Sequence, residues 1–363
     1  YYKTVLVHFL SREMWEALER YPGLKLIIWV HGAEIHAWHR RKFNYQDEEE
    51  RAKAIRESES RMAFWRGILN PITSNLKLVF VSRHFAEEVF EDLGFRLPDE
   101  AYTIIHNPID TQLFAYQVKP LEQRKRVLSI RPYASRLYAN DLSVSAILRL
   151  SREPFFSELH FRMIGDGKLF EETVEPLRKF PNVTIEQRFL THAEIAALHK
   201  EYGVFLVPTR CDSHGVSRDE AMASGLVPVT SSVAAIPEFV DQSCGILAPP
   251  EDAASLADGI ARLYKSPDLF DRLSKAAAQR VIQQRASQGI LEQEISLIAP
   301  ALDRIADGRP ISFLSFDVEA VPGRAPHDPV ERLIWGRYDG QEFGIRRICA
   351  ILKQYGIKGN FLI

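Results

Sequence analysis

The chain has 363 residues, which is enough for two domains, and its hydrophobic content of 46% and charged content of 26% are ordinary for a globular protein. The formal net charge of −2 gives no overall signal for binding nucleic acid or an anionic membrane. The three scattered cysteines argue against a disulfide framework and fit a reducing compartment. We therefore expect a cytoplasmic location, with at most peripheral contact with the inner face of the membrane.

The N-terminal third alternates strand patterns with helix patterns, which is typical of a parallel α/β domain. Apolar runs predict strands at 5–9, 26–30, 78–82 and 102–105. The second of these strands delivers His31 at its carboxyl end. The chain starts within one strand pattern and stops within another, so we expect it to be a fragment of a longer protein.

Three domains are predicted along the chain. Residues 1–118 form the first α/β domain. A polar stretch that contains Pro120 predicts a linker, so the second domain covers 119–308. Breaker residues at 307–310 then mark the start of a third segment, 309–363, which has a new strand-helix-strand pattern.

The most informative stretch is 203–245, GVFLVPTRCDSHGVSRDEAMASGLVPVTSSVAAIPEFVDQSCG. It predicts a buried strand at 204–207, a loop at 209–217, a helix at 217–224 and a second buried strand at 227–230. Ser217 is a preferred residue type for capping a helix N-terminus, and Gly225 suits the left-handed position after the helix end. This order predicts a parallel crossover unit, whose loop lies at the sheet edge where open α/β sheets bind ligands.

The side chains of this loop and helix suit a sugar nucleotide. The helix N-terminus has unpaired N–H groups and a partial positive charge, which favour a phosphate. Gly215 lets the backbone approach an anion closely. Glu220 lies in the first turns of the helix, where its two oxygens can accept both hydroxyls of a ribose, and Asp212 lies on the loop. Taken alone, the two acids could equally be a solvated helix residue and a loop cap.

The acids Asp212 and Glu220, separated by seven residues and followed by AMASGLVPV, resemble the donor site of family 4 retaining glycosyltransferases, the glycosyl transferase group 1 enzymes. The resemblance implies an α/β GT-B fold: two Rossmann-like doubly wound domains facing a cleft, here with a partial β/α segment after them. It implies that Glu220 binds the nucleotide ribose and that Asp212 lies beside the transferred sugar. It also implies that backbone N–H groups of Gly215, Val216 and Ser217 bind the diphosphate.

The chain departs from the family pattern at three positions of this stretch. Asp212 stands where Glu is usual, His214 where Phe is usual and Ser217 where Pro is usual. The N-terminal domain also lacks the Gly-rich loop that follows the first strand in the family, because the chain begins too late to include it.

The same resemblance implies further site residues. His31 matches a histidine near the donor sugar, and Arg131 matches an arginine that binds the diphosphate. Arg136 stands approximately at the position of a lysine with the same role, and Phe189 and Leu190 belong to the loop beside the nucleobase. Either arginine, taken alone, could be a surface residue. The implied catalytic group is Asp212, His31, Arg131 and Arg136.

The implied activity is retaining transfer of a hexose or an N-acetylhexosamine from a UDP- or GDP-sugar. The acceptor would be a glycan or a lipid-linked acceptor in cell-surface polysaccharide synthesis. Catalysis would rest on stabilisation of the leaving diphosphate by the two arginines and the helix N-terminus. We therefore expect no requirement for a metal or a further cofactor.

Residues 309–363 look like the start of a polysaccharide deacetylase domain. Asp317 would match the catalytic base, and Glu319 stands near the position of a metal-binding acid. If both activities act on one glycan, UDP-N-acetylglucosamine is the predicted donor. The alternatives are a metal-dependent deacetylase in the full-length protein, a GT-B sugar-nucleotide epimerase, and a carbohydrate-binding module without catalysis. Residues 309–363 could also simply cover the core of the preceding domains.

Overall fold

A computed structural model describes residues 4–285, 287–302 and four short strand segments, 315–317, 337–338, 341–342 and 360–362. The described residues of Tyr1–Trp29 and Ile295–Ile363 form one compact unit, and Val30–Glu294 forms the other. The predicted domain boundaries after residues 118 and 308 stay a prediction.

Fourteen strands and eleven α-helices are assigned within the described residues. The strands are β1 Thr4–His8, β2 Lys25–Val30, β3 Leu76–Phe80, β4 Tyr102–Ile104, β5 Arg126–Ile130, β6 His160–Gly165, β7 Val183–Gln187, β8 Val204–Leu206, β9 Val227–Ser231, β10 Ile246–Ala248, β11 Ser315–Asp317, β12 Arg337–Tyr338, β13 Gln341–Glu342 and β14 Asn360–Leu362. The helices are α1 Arg12–Leu18, α2 Glu48–Leu69, α3 Arg83–Leu93, α4 Asn140–Leu150, α5 Phe170–Val174, α6 His192–Glu201, α7 Val216–Ala223, α8 Ile236–Phe239, α9 Ala253–Lys265, α10 Pro267–Arg285 and α11 Ser287–Leu302.

The larger unit is built on a six-stranded sheet. Its strand order is β10-β9-β8-β5-β6-β7, and every neighbouring pair is parallel. Counted from β5, this is the doubly wound order in which the chain first builds outward on one side and then returns to build on the other. The point of reversal lies between β5 and β8. The same unit contains the parallel pair β3 and β4.

Residues along the two central strands alternate between two hydrophobic clusters. Val127 of β5 and Val204 of β8 pack with residues of α4 and α9. Leu128 and Phe205, the next residues along each strand, pack with residues of α6 and α7 on the opposite face. Because both faces are covered, these strands read in the sequence as uninterrupted apolar runs.

The smaller unit contains two parallel strand pairs. Strand β1 pairs with β2, and β11 pairs with β14. The β11–β14 pair agrees with the strand-helix-strand pattern predicted after residue 309. Asp317 is the last residue of β11, whereas Glu319 lies outside the described residues, as does most of the helix predicted between the two strands. The deacetylase interpretation of Asp317 and Glu319 therefore stays a prediction.

Helix α7 begins one residue earlier than predicted, and its cap differs as a result. Gly215 precedes the helix with φ 93° and ψ 53°, and no side chain makes a capping hydrogen bond. Ser217 lies inside the first turn, so the prediction that Ser217 caps the helix is wrong. The left-handed conformation of Gly215 lets the chain enter the helix before it reaches the serine. Gly225 has φ 87°, as predicted for the residue that ends this helix.

Helix α4 is an element that the sequence pattern does not predict. Its N-cap is Ala139, which has φ 47° and makes no side-chain cap hydrogen bond. The helix also contains Asn140, Asp141 and two serines, which are weak helix formers. It packs against α9 over its length. Tertiary packing rather than local propensity therefore determines this helix.

The turn Gly165-Asp166-Gly167 follows β6 and packs against the loop after β5. A Cβ added at Gly165 would lie 1.8 Å from the carbonyl oxygen of Arg131 and 2.9 Å from the ring of Tyr133. A Cβ at Gly167 would lie 2.3 Å from the carbonyl carbon of Tyr133. Both glycines are thus required for close packing of backbone on backbone. This packing explains the G-x-G pattern without a role in phosphate binding.

We predict that Gly165→Ala destabilises the fold by about 1–3 kcal/mol or more, because the added methyl group must displace the Arg131 backbone. The matched control is Gly67→Ala in the exposed part of α2, where no heavy atom lies within 4 Å of the added carbon. That change should stabilise the protein by about 0.5–1 kcal/mol, since glycine is a poor helix former. Chemical denaturation measures both values, and two shifts of the same sign would contradict the prediction.

Candidate nucleotide-sugar site

The carboxyl ends of β5 and β8 are adjacent at the point where the strand order reverses. Arg131 follows β5 directly, and the loop that carries Asp212 follows β8. Ligands of open α/β sheets bind in the crevice at this point. The structure therefore brings these two predicted residues to one place.

Arg131 is buried, with 5% of its surface exposed. Its Nη1 donates to the hydroxyl of Ser217 at 3.3 Å, and its guanidinium lies 4.9 Å from the ring centre of Tyr138. Burial lowers the pKa of Arg131, and the negative charge of Asp212 acts in the opposite direction. A buried cation held at the first turn of α7 can bind an anion there.

A cavity of about 160 Å³ lies beside Arg131. It is lined by Gly32, His36, Arg41, Arg131, Leu137, Tyr138, Thr209, Cys211, Asp212 and Ser213. One oxygen of Asp212 accepts a hydrogen bond from the backbone N–H of His214 at 3.0 Å. Asp212 therefore serves both as a cap within its loop and as an acidic group of the cavity wall.

Glu220 lies on α7, one residue beyond a buried aspartate. Its side chain is 12% exposed, and one of its oxygens lies 4.0 Å from Nε2 of the exposed ring of His192. Burial, with a smaller contribution from the charge of Asp219, raises the pKa of Glu220 to about 7. A carboxylate that has lost water without gaining a close partner is ready to accept hydrogen bonds from a ligand.

The start of α7 is fixed by three buried side chains that sequence reasoning missed. Arg218, Asp219 and His214 are each at most 2% exposed. Arg218 donates to Asp219 Oδ1 at 2.7 and 2.9 Å and to the carbonyl of His214 at 2.7 Å. His214 Nε2 lies 3.1 Å from Asp219 Oδ2. Burial raises the pKa of Asp219. The neighbouring charge of Arg218 and the hydrogen bond with His214 outweigh this effect and lower that pKa to about 2.

The same cluster requires Gly215 and reaches Asn107. A Cβ at Gly215 would lie 2.6 Å from Nη1 of Arg218, so only glycine leaves room for the guanidinium to fold back beneath the loop. The backbone N–H of Asn107 donates to His214 Nδ1 at 3.3 Å, and the side-chain amide nitrogen of Asn107 lies 2.9 Å from it. The motif Asn107-Pro108-Ile109-Asp110 thus supports the loop that carries the candidate site.

His31 meets the acidic loop through its backbone. The hydroxyl of Ser213 donates to the carbonyl of His31 at 2.7 Å. Burial lowers the pKa of the His31 side chain. A second link joins the same parts of the chain: the carboxylate of Glu238 accepts from the backbone N–H groups of Arg83 and His84 at 3.1 and 3.0 Å. The predicted role of the His31 ring stays a prediction.

The structure does not bring Arg136 to the cavity of Arg131. Arg136 lines a separate cavity of about 390 Å³ together with residues of α2, among them Lys53. Its guanidinium lies 2.5 and 2.8 Å from the side-chain amide oxygen of Gln46, once that amide is oriented to accept. Arg136 would therefore bind the diphosphate beside Arg131 only after a rearrangement. Without one, another cation would have to take that role.

The predicted nucleobase loop follows β7. Phe189 is 75% exposed, whereas Leu190 packs partly against the cluster beneath α6 and α7. Thr191 then caps α6 through a reciprocal pair of hydrogen bonds with Glu194. An exposed aromatic ring that is anchored on both sides can stack on a base.

A family model for "Glycosyl transferases group 1" matches residues 125–266. Residues 125–266 are thus similar to glycosyl transferases of group 1. The match confirms the assignment to the glycosyltransferases that Asp212, Glu220 and the following run indicate.

Two curated relatives align with the chain. An MMP alpha-(1->4)-mannosyltransferase of Mycolicibacterium hassiacum is 26% identical over 233 residues, which cover 63% of this chain and 55% of the relative. A glycogen synthase of Mycobacterium tuberculosis is 26% identical over 209 residues, covering 56% of this chain and 49% of that protein. The chain thus spans about half the length of the curated relatives it matches.

Solved structures resemble the chain in fold. Sucrose-phosphate synthase of Thermosynechococcus elongatus gives a TM-score of 0.65 at 18% identity, covering 83% of this chain and 74% of that one. HepE of Anabaena, solved with UDP and glucose, gives a TM-score of 0.62 at 15% identity, covering 81% of this chain and 78% of that one. The predicted α/β GT-B fold, with two Rossmann-like parallel-sheet domains, is confirmed.

Two further observations concern the described part of the chain. None of its helices combines the length and the apolar character that crossing a membrane would need. Nor do its described His, Cys, Asp and Glu side chains gather in a group of three or more that could hold a metal ion.

We predict that Asp219→Ala destabilises the protein by about 3–5 kcal/mol, because it leaves the buried guanidinium of Arg218 without its carboxylate. The matched control is Asp271→Ala, which removes an exposed ion pair with Lys275 of 2.7 Å. That change should cost about 0–1 kcal/mol. Denaturant unfolding monitored by circular dichroism compares the two. Equal losses would mean that the buried cluster does not hold α7 in place.

Proposed function

We propose that the chain belongs to a retaining glycosyltransferase that moves a hexose or an N-acetylhexosamine from a nucleotide-sugar to a glycan or lipid-linked acceptor. The observation that carries this proposal is Glu220. It is a largely buried carboxylate with a raised pKa, on the helix whose N-terminus meets Arg131. Ribose hydroxyls would supply the hydrogen bonds that this carboxylate lacks.

The diphosphate would bind between Arg131 and the first turn of α7. Arg131 and Ser217 are already in contact at 3.3 Å, so the guanidinium and the helix N-terminus act on the same volume. Backbone N–H groups of Gly215, Val216 and Ser217 lie at the N-terminal end of the helix dipole, which favours negative charge. Phe189, exposed in the loop after β7, is the proposed stacking surface for the nucleobase.

Asp212 and His31 would face the transferred sugar. Asp212 lines the cavity of about 160 Å³, and His31 is tied to the adjacent Ser213. In the proposed reaction the bond from sugar C1 to the β-phosphate oxygen breaks, and its electron pair stays on the phosphate. The acceptor hydroxyl oxygen bonds to C1, and its proton passes to the phosphate oxygen. Arg131 and the helix N-terminus stabilise the charge that develops on the leaving diphosphate.

The donor is proposed to be a UDP- or GDP-sugar. HepE was solved with UDP and glucose, and TarM of S. aureus with UDP and alpha-GlcNAc-glycerol, which supports testing UDP-sugars first. UDP-N-acetylglucosamine is the proposed donor if residues 309–363 begin a deacetylase domain. We propose that the protein acts in the cytoplasm, in the synthesis of a cell-surface polysaccharide. Its contact with the membrane would be peripheral and made through the acceptor.

We predict that Glu220→Gln weakens nucleotide-sugar binding about 10- to 100-fold, because a charge-assisted hydrogen bond contributes about 1.5–3 kcal/mol. The matched control is Glu59→Gln, the same change on the exposed face of α2. Thermal-shift screening with UDP-, GDP- and ADP-sugars selects the ligand, and calorimetry then measures its affinity. Equal affinities for the two variants would refute the assignment of Glu220.

We also predict that affinity rises with pH between 6 and 8. The ribose hydroxyls form charge-assisted hydrogen bonds only with the ionised form of Glu220, whose pKa is raised to about 7. Affinity should therefore be about tenfold lower at pH 6 than at pH 8, and Glu220→Gln should abolish this dependence. A nucleotide-sugar is the right probe, since its diphosphate has no group that titrates in this range. His192→Gln tests the other nearby titratable group and should leave the dependence in place.

Transfer is tested by incubating the full-length protein with donor and a mixed glycan acceptor. Formation of a new glycosidic bond with retained anomeric configuration is the expected result. Interconversion of the sugar nucleotide without an acceptor would instead identify an epimerase. Glycan binding with no consumption of donor would identify a binding module.

A further inference from the structure

The cavity beside Arg131 contains a cationic side chain that the proposed function does not use. Arg41 lines this cavity together with Arg131 and Asp212. It belongs to a 3-10 segment, Trp38–Asn44, and has φ −125° and ψ 23°, so it interrupts the helical turn at that point. Its Nη2 lies 3.4 Å from the position that a Cβ on Gly32 would occupy. The backbone therefore turns the guanidinium towards the cavity wall formed by Gly32.

Arg41 has no carboxylate partner among the residues that the structure describes. Its Nε is buried and makes no hydrogen bond there. The acids nearest in sequence are already used. Glu34 accepts from the backbone N–H groups of His31 and Gly32.

The acids of α3 are used in the same way by the neighbours of Arg41. Glu88 and Asp92 accept from Arg40, with which they form ion pairs of 3.5 and 3.0 Å. Glu88 also pairs with His36 at 3.3 Å. These carboxylates are used by Arg40 and His36, and neither forms an ion pair with Arg41.

Arg131 shows the same feature on the other side of the cavity. Its Nε is buried and has no hydrogen-bond partner in the described part of the chain. Asp212 is the single acid that lines the cavity, and one of its oxygens is used by the backbone of His214. Two guanidinium groups thus face one partly used carboxylate, and a buried cation without a partner is costly unless a ligand supplies an anion.

We propose that Arg41 is the second guanidinium that binds an oxyanion of the donor, opposite Arg131. The oxyanion is the β-phosphate of the nucleoside diphosphate or a carboxylate on the sugar. Two guanidinium groups that converge on one cavity fit phosphate or carboxylate oxygens through paired hydrogen bonds. The inference rests on the proposed function, since it concerns the same donor. It also assigns to Arg41 the place that the sequence gives to Arg136, which lies in the other cavity beside Gln46.

The experiment compares Arg41→Gln with Arg136→Gln in the full-length protein. Calorimetry measures the affinity of each for UDP and for UMP, or for GDP and GMP if the wild type prefers guanine. Arg41→Gln should weaken binding of the diphosphate at least tenfold and leave that of the monophosphate within twofold. Arg136→Gln should leave both affinities within twofold. Unchanged affinity of Arg41→Gln for both the diphosphate and a UDP-hexuronic acid, or equal loss for the diphosphate and the monophosphate, would overturn the proposal.

Two further measurements make the outcome unambiguous. Arg41→Lys keeps the charge and loses the paired donors, so its diphosphate affinity should lie between those of the wild type and Arg41→Gln even if the glutamine variant folds poorly. A UDP-hexuronic acid distinguishes the two oxyanions: if it alone loses affinity in Arg41→Gln, the carboxylate is the group bound. A wild-type protein that binds no nucleotide at all would refute the proposed function. If the wild type binds nucleotide and the Arg41 variants keep its affinities for the diphosphate and the UDP-hexuronic acid, this inference alone is refuted.

Discussion

The buried ion pair between Arg218 and Asp219 is the interaction on which the geometry of the candidate site depends. Two charges this far from water are stable only when both are neutralised and hydrogen-bonded, and here the carbonyl and ring of His214 complete the set. The pair lies on the turn of α7 that carries Glu220. Its arrangement therefore determines both where the helix starts and how Glu220 is presented.

The constraint extends in both directions along the chain. It requires glycine at position 215, because the guanidinium of Arg218 occupies the space that a side chain would take. It also ties His214 to Asn107, which lies just beyond β4. A short helix with no side-chain cap is thus held by its surroundings. The unpaired N–H groups at its N-terminus consequently remain available to an anion rather than to a capping side chain.

Much of this arrangement could be predicted from the sequence, for identifiable reasons. Strands β5, β8 and β9 are covered on both faces, so they appear as apolar runs, and Gly225 marks the end of α7 because its left-handed conformation suits few other residues. The placement of Asp212 and Arg131 at one edge follows from parallel strands whose carboxyl ends coincide.

The remainder depends on contacts between distant segments, which a single sequence does not reveal. In the sequence, the basic residue at 218 and the acidic residue at 219 look like ordinary exposed helix positions. Their place beside the apolar run 221–223 was a usable signal that they are buried. Arg41 and Arg136 are both arginines that follow strands, and only the three-dimensional packing shows which one lines the cavity of Arg131. The helix α4 likewise forms because α9 covers it.

The contacts of Ser213 with His31 and of Glu238 with the start of α3 have a kinetic consequence. Separating the segments on either side of the cavity breaks these three hydrogen bonds and also the one that Ser135 donates to Asn44. At about 0.5–1.5 kcal/mol net for each bond, the separated form is a minor species. For a bulky donor that enters through that species, the strength of these bonds limits how quickly the site exchanges its contents, independently of the chemistry performed inside it.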